Sequence, residues 1–342
     1  MVLIPRQGVA AFSPATITLP DAPRYLTTSI SLHDRLEHLL VRFGWRRRQY
    51  RTEPALYRIG SATAESPVIV TANYKLTLDK VRGACAGLDL WILVLDTHGI
   101  NVWCAAGKGT FGTDEIARMA KESRLADIVK HRRLIVPQLG ASGVSAHRVK
   151  ELTGFTVVYG PVRITDLRAF LAAGMQASDA MRRVHFDLAD RIAVTPMELV
   201  LSWQLFLAAL AAGLLLWASR ASTLGAAIVP FIGAIIMGTV IVPLSLPLFP
   251  FRPFVLKGLA GGLLWAFAMI AFFPGDILTV ARHLTLLPPV TAYLVFNFTG
   301  STAFTSPSGV KAEIRWFTWP LLIWFVAGVG LFFAELVRGW LL

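Results

Sequence analysis

The chain has 342 residues and a formal net charge of +12, with 55% apolar and only 16% charged residues. Soluble domains carry roughly 45–50% apolar and about 25% charged residues, so this composition excludes a chain that is soluble throughout and requires membrane spans. Positive charge does not by itself select nucleic acid, because membrane proteins collect Lys and Arg on their cytoplasmic side.

Met1 to Ile30 has no charged start followed by an apolar core, so no signal peptide is expected. Ser31 to Phe43 has apolar residues at helical spacing and predicts a helix. Arg46, Arg47, Arg48 and Arg51 form a basic run, read either as a solvated face or as a contact for anionic lipid or a partner. Ser66 to Thr71 and Leu88 to Asp96 are short, β-rich and bounded by polar residues, as buried strands are. A helix is predicted from Thr113 to His131, with Thr113 as cap and Asp114 and Glu115 in its first turn. Leu134 to Pro137 and Phe155 to Tyr159 read as strands, with a helix from Val144 to Thr153 between them. Such alternation implies an α/β fold with a parallel sheet, whose ligands bind at the carboxyl ends of the strands.

The solvent changes near residue 197. Beyond it the charged residues are Glu198, Arg220, Arg252, Lys257, Asp276, Arg282, Lys311, Glu313, Arg315, Glu335 and Arg338. Five apolar stretches follow: Leu199 to Ser219, Ala221 to about Pro243, Lys257 to Asp276, a fourth that starts near Ile277 and includes Leu284 to Phe298, and Trp316 to Ala334. A helix needs about 20 residues to cross the hydrocarbon layer, so five transmembrane helices are predicted. The balance of Lys and Arg places the aqueous part in the cytoplasm and the chain in the cytoplasmic membrane. The expected domains are an N-terminal segment (1–60), an α/β domain (61–175), a linker (176–197) and a membrane domain (198–342). Asp276, Arg282 and His283 read either as lining a path for substrate or as a boundary loop.

The strand ending at Asp96 runs into Thr97-His98-Gly99-Ile100-Asn101-Val102-Trp103-Cys104-Ala105-Ala106-Gly107-Lys108-Gly109-Thr110. A phosphate-binding P-loop is excluded, since Val102 stands where its first glycine belongs and Gly109 where its Ser or Thr belongs. Asp96-x-His98 follows the start of a cobalamin-binding pattern, but the glycine required at the sixth position is Asn101. His98 is thus either a cobalt ligand or a solvated loop residue. Cys104 is either a buried small hydrophobe or a functional thiol. Cys85 reads as structural. These two cysteines are too few for a disulfide framework, a cysteine zinc site or an iron–sulfur cluster held by this chain alone.

The run Asn101 to Lys108 (NVWCAAGK) resembles the signature of the HgcA family, the membrane-anchored corrinoid proteins of microbial mercury methylation. Val70 to Lys75, Gly107 to Glu115, Val136 to Gly143, Tyr159 to Arg163 and Asn297 to Val310 also resemble family segments. The corrinoid domain of that family is similar to the large subunit of the corrinoid iron–sulfur protein. The resemblance implies a cobalamin-type corrinoid with its cobalt, a cap helix bearing the motif, and Cys104 as catalytic thiolate on the lower face of cobalt. A thiolate is a soft, strongly donating ligand, suited to releasing a methyl group from Co(III) as a carbanion equivalent toward Hg(II). It implies an aqueous corrinoid domain followed by a five-helix membrane domain.

The corrinoid-binding residues implied in this way are Thr71, Asn73, Asn101, Val102, Trp103, Cys104, Ala105, Gly107, Lys108, Gly109, Val136, Pro137, Gln138, Leu139, Gly140, Gly143, Tyr159, Gly160 and Pro161. Each has a plainer reading: turn glycines, a core tryptophan, a solvated lysine. The implied partners are an HgcB-type ferredoxin with two [4Fe-4S] clusters as reductant, Hg(II) as substrate, an upstream donor linked to methyltetrahydrofolate and the lipid bilayer, with no nucleic acid. Two other functions stay open: a corrinoid methyl carrier of one-carbon metabolism with another acceptor, and a membrane transporter with a cytoplasmic regulatory domain.

Overall fold

The computed structural model describes residues 23–302 and 304–341. Most of the segment in which no signal peptide is expected, and much of the 1–60 segment, lie outside the described residues. The chain divides into two compact units, one containing 48–183 and the described residues up to Asp34, the other containing 35–47 and 184 onward.

The α/β unit begins with β1 (Arg24–Tyr25) and the start of α1 (Leu32–Arg42), followed by β2 (Ala55–Ile59), β3 (Val68–Ala72), α2 (Lys75–Ala84) and β4 (Leu90–Leu95). Next come α3 (Val102–Lys108), α4 (Thr113–Glu122), α5 (Leu125–Ile128), β5 (Arg133–Pro137), α6 (Ala146–Thr153) and β6 (Thr156–Gly160). The unit closes with α7 (Leu167–Ala172) and α8 (Asp179–Arg182).

The strands form one sheet in the order β1-β2-β4-β3-β5-β6. β4, β3, β5 and β6 run parallel, as the strand-helix alternation predicts. β2 is antiparallel to β4, so the sheet is mixed. Its pairing to a strand over thirty residues away has no local signature in Ala55-Leu56-Tyr57-Arg58-Ile59.

Alternation along β3 splits the core. Val68, Val70 and Ala72 face one side, where Val102, Ala105, Ala106, Phe111, Ile116 and Val149 pack. Ile69 faces the other, with Leu78, Val81, Leu167 and Phe170. The helix after β3 therefore covers one face and the helices after β4 and β5 the other, and in the order β4-β3-β5-β6 the connections leave the neighbouring strands β3 and β5 in opposite directions. Doubly wound sheets open a crevice at such a point.

The helix expected over Thr113 to His131 breaks at Arg124, whose φ is +48°. Ser123 Oγ donates back to Met119 O, capping α4, and Leu125 drops fully into the core. Burial of Leu125 outweighs continuation of the helix.

The helical unit contains α9 (Leu188–Leu201), α10 (Trp203–Ala218), α11 (Leu224–Ile236) and, after a π-turn, α12 (Val242–Leu244). It continues with α13 (Phe254–Phe272), α14 (Ile277–Asn297) and α15 (Pro307–Leu341). Among the described residues three helices are long and apolar enough to cross a membrane: Leu224–Leu244, α13 and α15. The pair α9 and α10, bent by 57° at Ser202, brings the number to four. α14 has the length, 21 residues, but Arg282, His283, Pro288 and Pro289 dilute its apolar character. That dilution is offset by burial. Gly258 and Gly262 of α13, a GxxxG pair, let α14 approach so closely that a Cβ on either would lie 2.5 Å from Ala292 Cα or 2.6 Å from Pro288 Cα. Arg282 is fully buried, and its Nε donates to Glu335 of α15 at 2.5 Å. Asp276 caps the start of α14 by accepting from Thr279 N–H. Arg282 and His283 therefore sit within a helix rather than in a boundary loop.

Candidate functional site

The turn after β4 is organised by one buried carboxamide. Asn73, at the carboxyl end of β3, accepts through Oδ1 from the N–H groups of Thr97 and Gly99 and from Thr97 Oγ1, at 2.9–3.1 Å. Its Nδ2 donates to Asp96 Oδ1 at 2.9 Å, which ties the adjacent carboxyl ends of β3 and β4. Asp96 N–H in turn donates to Glu115 Oε1 of α4. His98 and Gly99, at φ +56° and +71°, then reverse the chain. The His98 imidazole is two-thirds exposed and lies 3.5 Å from Asp96 Oδ1.

This turn delivers the chain to α3. Asn101 is its N-cap and accepts the Cys104 N–H at 2.9 Å, satisfying one of the donors that a helix start leaves open. Gly109 closes the helix in the left-handed region, φ +81°, as C-terminal glycines do. Val102, Ala105 and Ala106 turn inward to the core. Trp103, Cys104, Gly107 and Lys108 turn outward. A Cβ added to Gly107 or Gly109 would meet no atom within 4 Å. Beside the thiol there is thus an open ledge, which internal packing does not require to be glycine.

Beneath α3 the fit is tight. The loop after β5 passes so close that a Cβ on Gly143 would lie 2.3 Å from Phe111 O and 3.0 Å from Ala106 O. One on Gly140 would lie 2.4 Å from the Phe111 ring. Gly140 and Gly143 therefore seat the helix. A cleft of about 390 Å³ beside this seat is lined by Gly109, Gly112, Thr113, Gly143, Ser145 and Arg148.

The structure brings most of the expected residues to one edge. Val136 packs in the core beneath α3; Pro137, Gln138 and Leu139 continue from it and are half-buried. Gln138 Oε1 is buried with no hydrogen-bond partner. Tyr159 donates its hydroxyl to Val144 O at 2.8 Å, and Gly160 and Pro161 behind it are buried. Thr71 does not join this group. Strand alternation puts it on the α2 side of β3, with Ile69.

The hydrogen-bonding roles of Asp96, Thr97 and Glu115 were not read from the sequence, although only three residues separate Asp96-Thr97 from the motif. Also unread was an ion network on α2. Lys75 Nζ bonds to Asp34 and Asp79 at 2.8 and 2.9 Å, and Arg82 to Asp79 and Asp34 at 2.7 and 2.9 Å. Burial opposes the charge on Asp34, but hydrogen bonds from Lys75, Ser31 and Arg82 outweigh it and hold the carboxyl well below the usual range. Burial likewise opposes the Lys75 charge, and its bonds to Asp34, Asp79 and Tyr50 raise its pKa above the ordinary value. The spacing 75, 79, 82 on one helix face was the available signal.

The two cysteines differ sharply. Cys85 is fully buried, and burial pushes its thiol up to about 12. Cys104 is exposed. Among the described residues no three His, Cys, Asp or Glu side chains gather as a metal site. A single exposed thiol would suit a metal that arrives already chelated and can take one more ligand. The open ledge and the orphaned Gln138 acceptor suit a broad, amide-bearing group, and in these respects the site fits a corrinoid.

Comparison with known proteins shows what this region is similar to. Residues 37–171 match the CdhD family model. Its description is CO dehydrogenase/acetyl-CoA synthase delta subunit. Relatives include the corrinoid/iron-sulfur protein large subunit of Moorella thermoacetica, 34% identical over 168 residues, which are 45% of this chain and 37% of the relative. The acetyl-CoA decarbonylase/synthase complex subunit gamma of Methanopyrus kandleri is 35% identical over 127 residues, 36% of this chain and 27% of the relative. The subunit of that name from Methanocaldococcus jannaschii is also 35% identical over 127 residues, covering 36% and 26%. The chain thus matches between about a quarter and somewhat over a third of the length of these relatives. The CdhD match contains the whole of α3, its seat and both loops described above.

Proposed function

We propose that this chain is a corrinoid-dependent methyltransferase whose methyl acceptor is Hg(II), with methylmercury as product, and that Cys104 supplies the thiolate ligand to cobalt. The observation that carries this reading is the exposed Cys104 beside the bare Gly107–Gly109 ledge, within the region that matches the CdhD family model. A bound corrinoid supplies the cobalt atom that carries the methyl group. The protein's own part is to hold and orient. Asn101 fixes the first turn of α3, Ala105 and Ala106 anchor its inner face, and Trp103 and Lys108 flank the thiol. Gln138 offers an acceptor to a corrin side-chain amide, and the loops at Val136 to Gly143 and Tyr159 to Pro161 form the floor for the corrinoid tail. Asn73 holds the turn that leads into α3.

With a corrinoid bound, the Cys104 thiolate would donate more strongly than an imidazole and would favour release of methyl with its electron pair, the form an Hg(II) electrophile accepts. With only Cys85 and Cys104, the chain cannot hold its own iron–sulfur cluster. We assign the reductant to a partner, an HgcB-type ferredoxin with two [4Fe-4S] clusters, and the methyl supply to a donor linked to methyltetrahydrofolate. The helical unit then crosses the cytoplasmic membrane five times, α14 being the span whose polar residues are shielded by its neighbours.

A second reading is favoured by the relatives' names: a methyl carrier for acetyl-CoA chemistry whose acceptor is another enzyme. One experiment separates the two. The full chain, co-purified with its ferredoxin, is examined for the corrinoid absorption spectrum and assayed for methyl transfer to Hg(II), with Cys104 intact and as Cys104→Ala. Corrinoid with Cys104-dependent methylmercury supports the proposal. Corrinoid without methylmercury favours the carrier, retained methylation in the alanine variant overturns the thiolate assignment, and absence of corrinoid overturns both readings.

A further inference from the structure

Helix α1 presents its apolar face to solvent. Leu32, Leu36, Leu39, Leu40 and Phe43 recur at helical spacing and fall on one side, each between 45% and 78% exposed. Val41, on the opposite side, is buried, and Glu37 and His38 are half-buried. Amphipathic helices of water-soluble domains have the reverse arrangement. Directly after the helix come Trp45, 63% exposed, and the exposed run Arg46, Arg47 and Arg48, with Arg35 exposed within it.

The rest of the helical unit indicates what covers this face. Arg42 Nη1 donates to Ala193 O of α9 at 2.9 Å, and Gly44 lies against Met197 and Val200. α9 passes through its 57° bend into α10, and together they are apolar enough for a span. α9 also exposes Leu188 and Ile192, one turn apart. The apolar stripe is thus joined directly to a membrane-crossing element. Leu, Phe and Trp on one face with arginines beside them is the composition of a helix lying in the headgroup region. A two-fold contact through this stripe would bring the arginines of two copies together, which disfavours self-association.

We propose that α1 is an interfacial helix whose outward face docks on the anionic headgroup surface of the bilayer that holds the helical unit. Arg46, Arg47 and Arg48 contact phosphate groups, and the leucines, Phe43 and Trp45 enter the boundary with the acyl chains. The proposal rests on the membrane reading of the helical unit and is independent of the corrinoid assignment.

The test uses the full chain in nanodiscs of phosphatidylcholine, with or without phosphatidylglycerol. A fluorophore is attached to Leu36→Cys or, separately, Leu40→Cys in a Cys104→Ala background; Cys85 is buried and stays unlabelled. Nitroxide lipids are expected to quench both labels, aqueous iodide to quench neither, and phosphatidylglycerol to strengthen the lipid quenching. The R46Q/R47Q/R48Q variant should lose that enhancement, at roughly five-fold in the docked-to-free ratio per arginine. Labels open to iodide and untouched by nitroxide lipids would overturn the proposal. So would self-quenching between two copies in one disc, or docking indifferent to both phosphatidylglycerol and the arginines. A chain that fails to enter nanodiscs overturns the membrane reading and this proposal together, whereas a chain that enters with undocked α1 overturns this proposal alone.

Discussion

The side chain of Asn101 accepts the backbone N–H of Cys104 at 2.9 Å, so the residue that starts α3 also fixes the residue that bears the thiol. Asn101→Ala is expected to cost about 1 kcal/mol, the usual value of an N-cap, and Asn101→Asp or Asn101→Ser to retain most of it. Thermal melts of the full chain in detergent measure the cost. Corrinoid content after purification should fall in the alanine variant and recover in the other two.

Gly107 and Gly143 should respond in opposite ways. Gly107→Ala places a methyl group in open space on a helix and should stabilise the unliganded protein by up to about 1 kcal/mol. The same methyl group occupies the ledge, so corrinoid occupancy should drop. Gly143→Ala drives a Cβ into Phe111 O and Ala106 O and should destabilise by about 1–3 kcal/mol. If Gly107→Ala loads corrinoid as well as the parent chain, the ledge is not where the ring lies.

The two thiols should be separable by reagent. Brief treatment of the native chain with iodoacetamide is expected to modify Cys104 and spare Cys85, which is buried with its pKa near 12. Peptide mass spectrometry reads the site directly. Bound corrinoid should protect Cys104, giving a measure of ligation that does not depend on activity.

Asp79 and Arg82 are a nearly buried pair, with side chains 3% and 8% exposed. Asp79→Ala leaves Arg82 short of a counter-charge and should cost about 3 kcal/mol, read as a lower melting temperature. The same network sets a pH response. The Asp34 pKa is depressed below its ordinary 3.8, so its contribution is complete above that value and is lost as pH falls toward the lowered one. The Lys75 pKa is raised above its ordinary 10.5, so its contribution is complete below that value and is lost only as pH climbs through the raised one. Stability should therefore be flat across neutral pH, and Asp34→Asn should weaken the acid-side decline.

Removing Glu335 leaves the Arg282 guanidinium fully buried without its acceptor. Glu335→Ala should cost about 3–5 kcal/mol in detergent melts. Replacing both residues by Leu and Met should recover most of that loss, which distinguishes an uncompensated charge from lost packing.

Much of the α/β unit was legible because each parallel strand is a continuous apolar run between polar residues. Ile69-Val70 and Trp91-Ile92-Leu93-Val94 could hardly be anything else. β2 was not legible, since its order comes from pairing with β4 and its Arg58 interrupts the apolar run. Asn101, Trp103 and Cys104 stood out through resemblance, not spacing. The Asn73 carboxamide could be picked out as a strand-end residue, but its three acceptances and its bond to Asp96 exist only once two strands are brought side by side. In the helical unit, hydropathy found the apolar lengths but missed the bend at Ser202 and could not see that α14 is shielded by its neighbours.

The contact beneath α3 has a practical meaning for protein engineering. Ala106, Phe111, Gly140 and Gly143 meet with no spare space, so they behave as one interlocking part contributed by two distant segments. A graft of the Trp103-Cys104 helix onto another α/β scaffold should fail when the helix is moved alone. It should succeed when the loop carrying Gly140 and Gly143 travels with it.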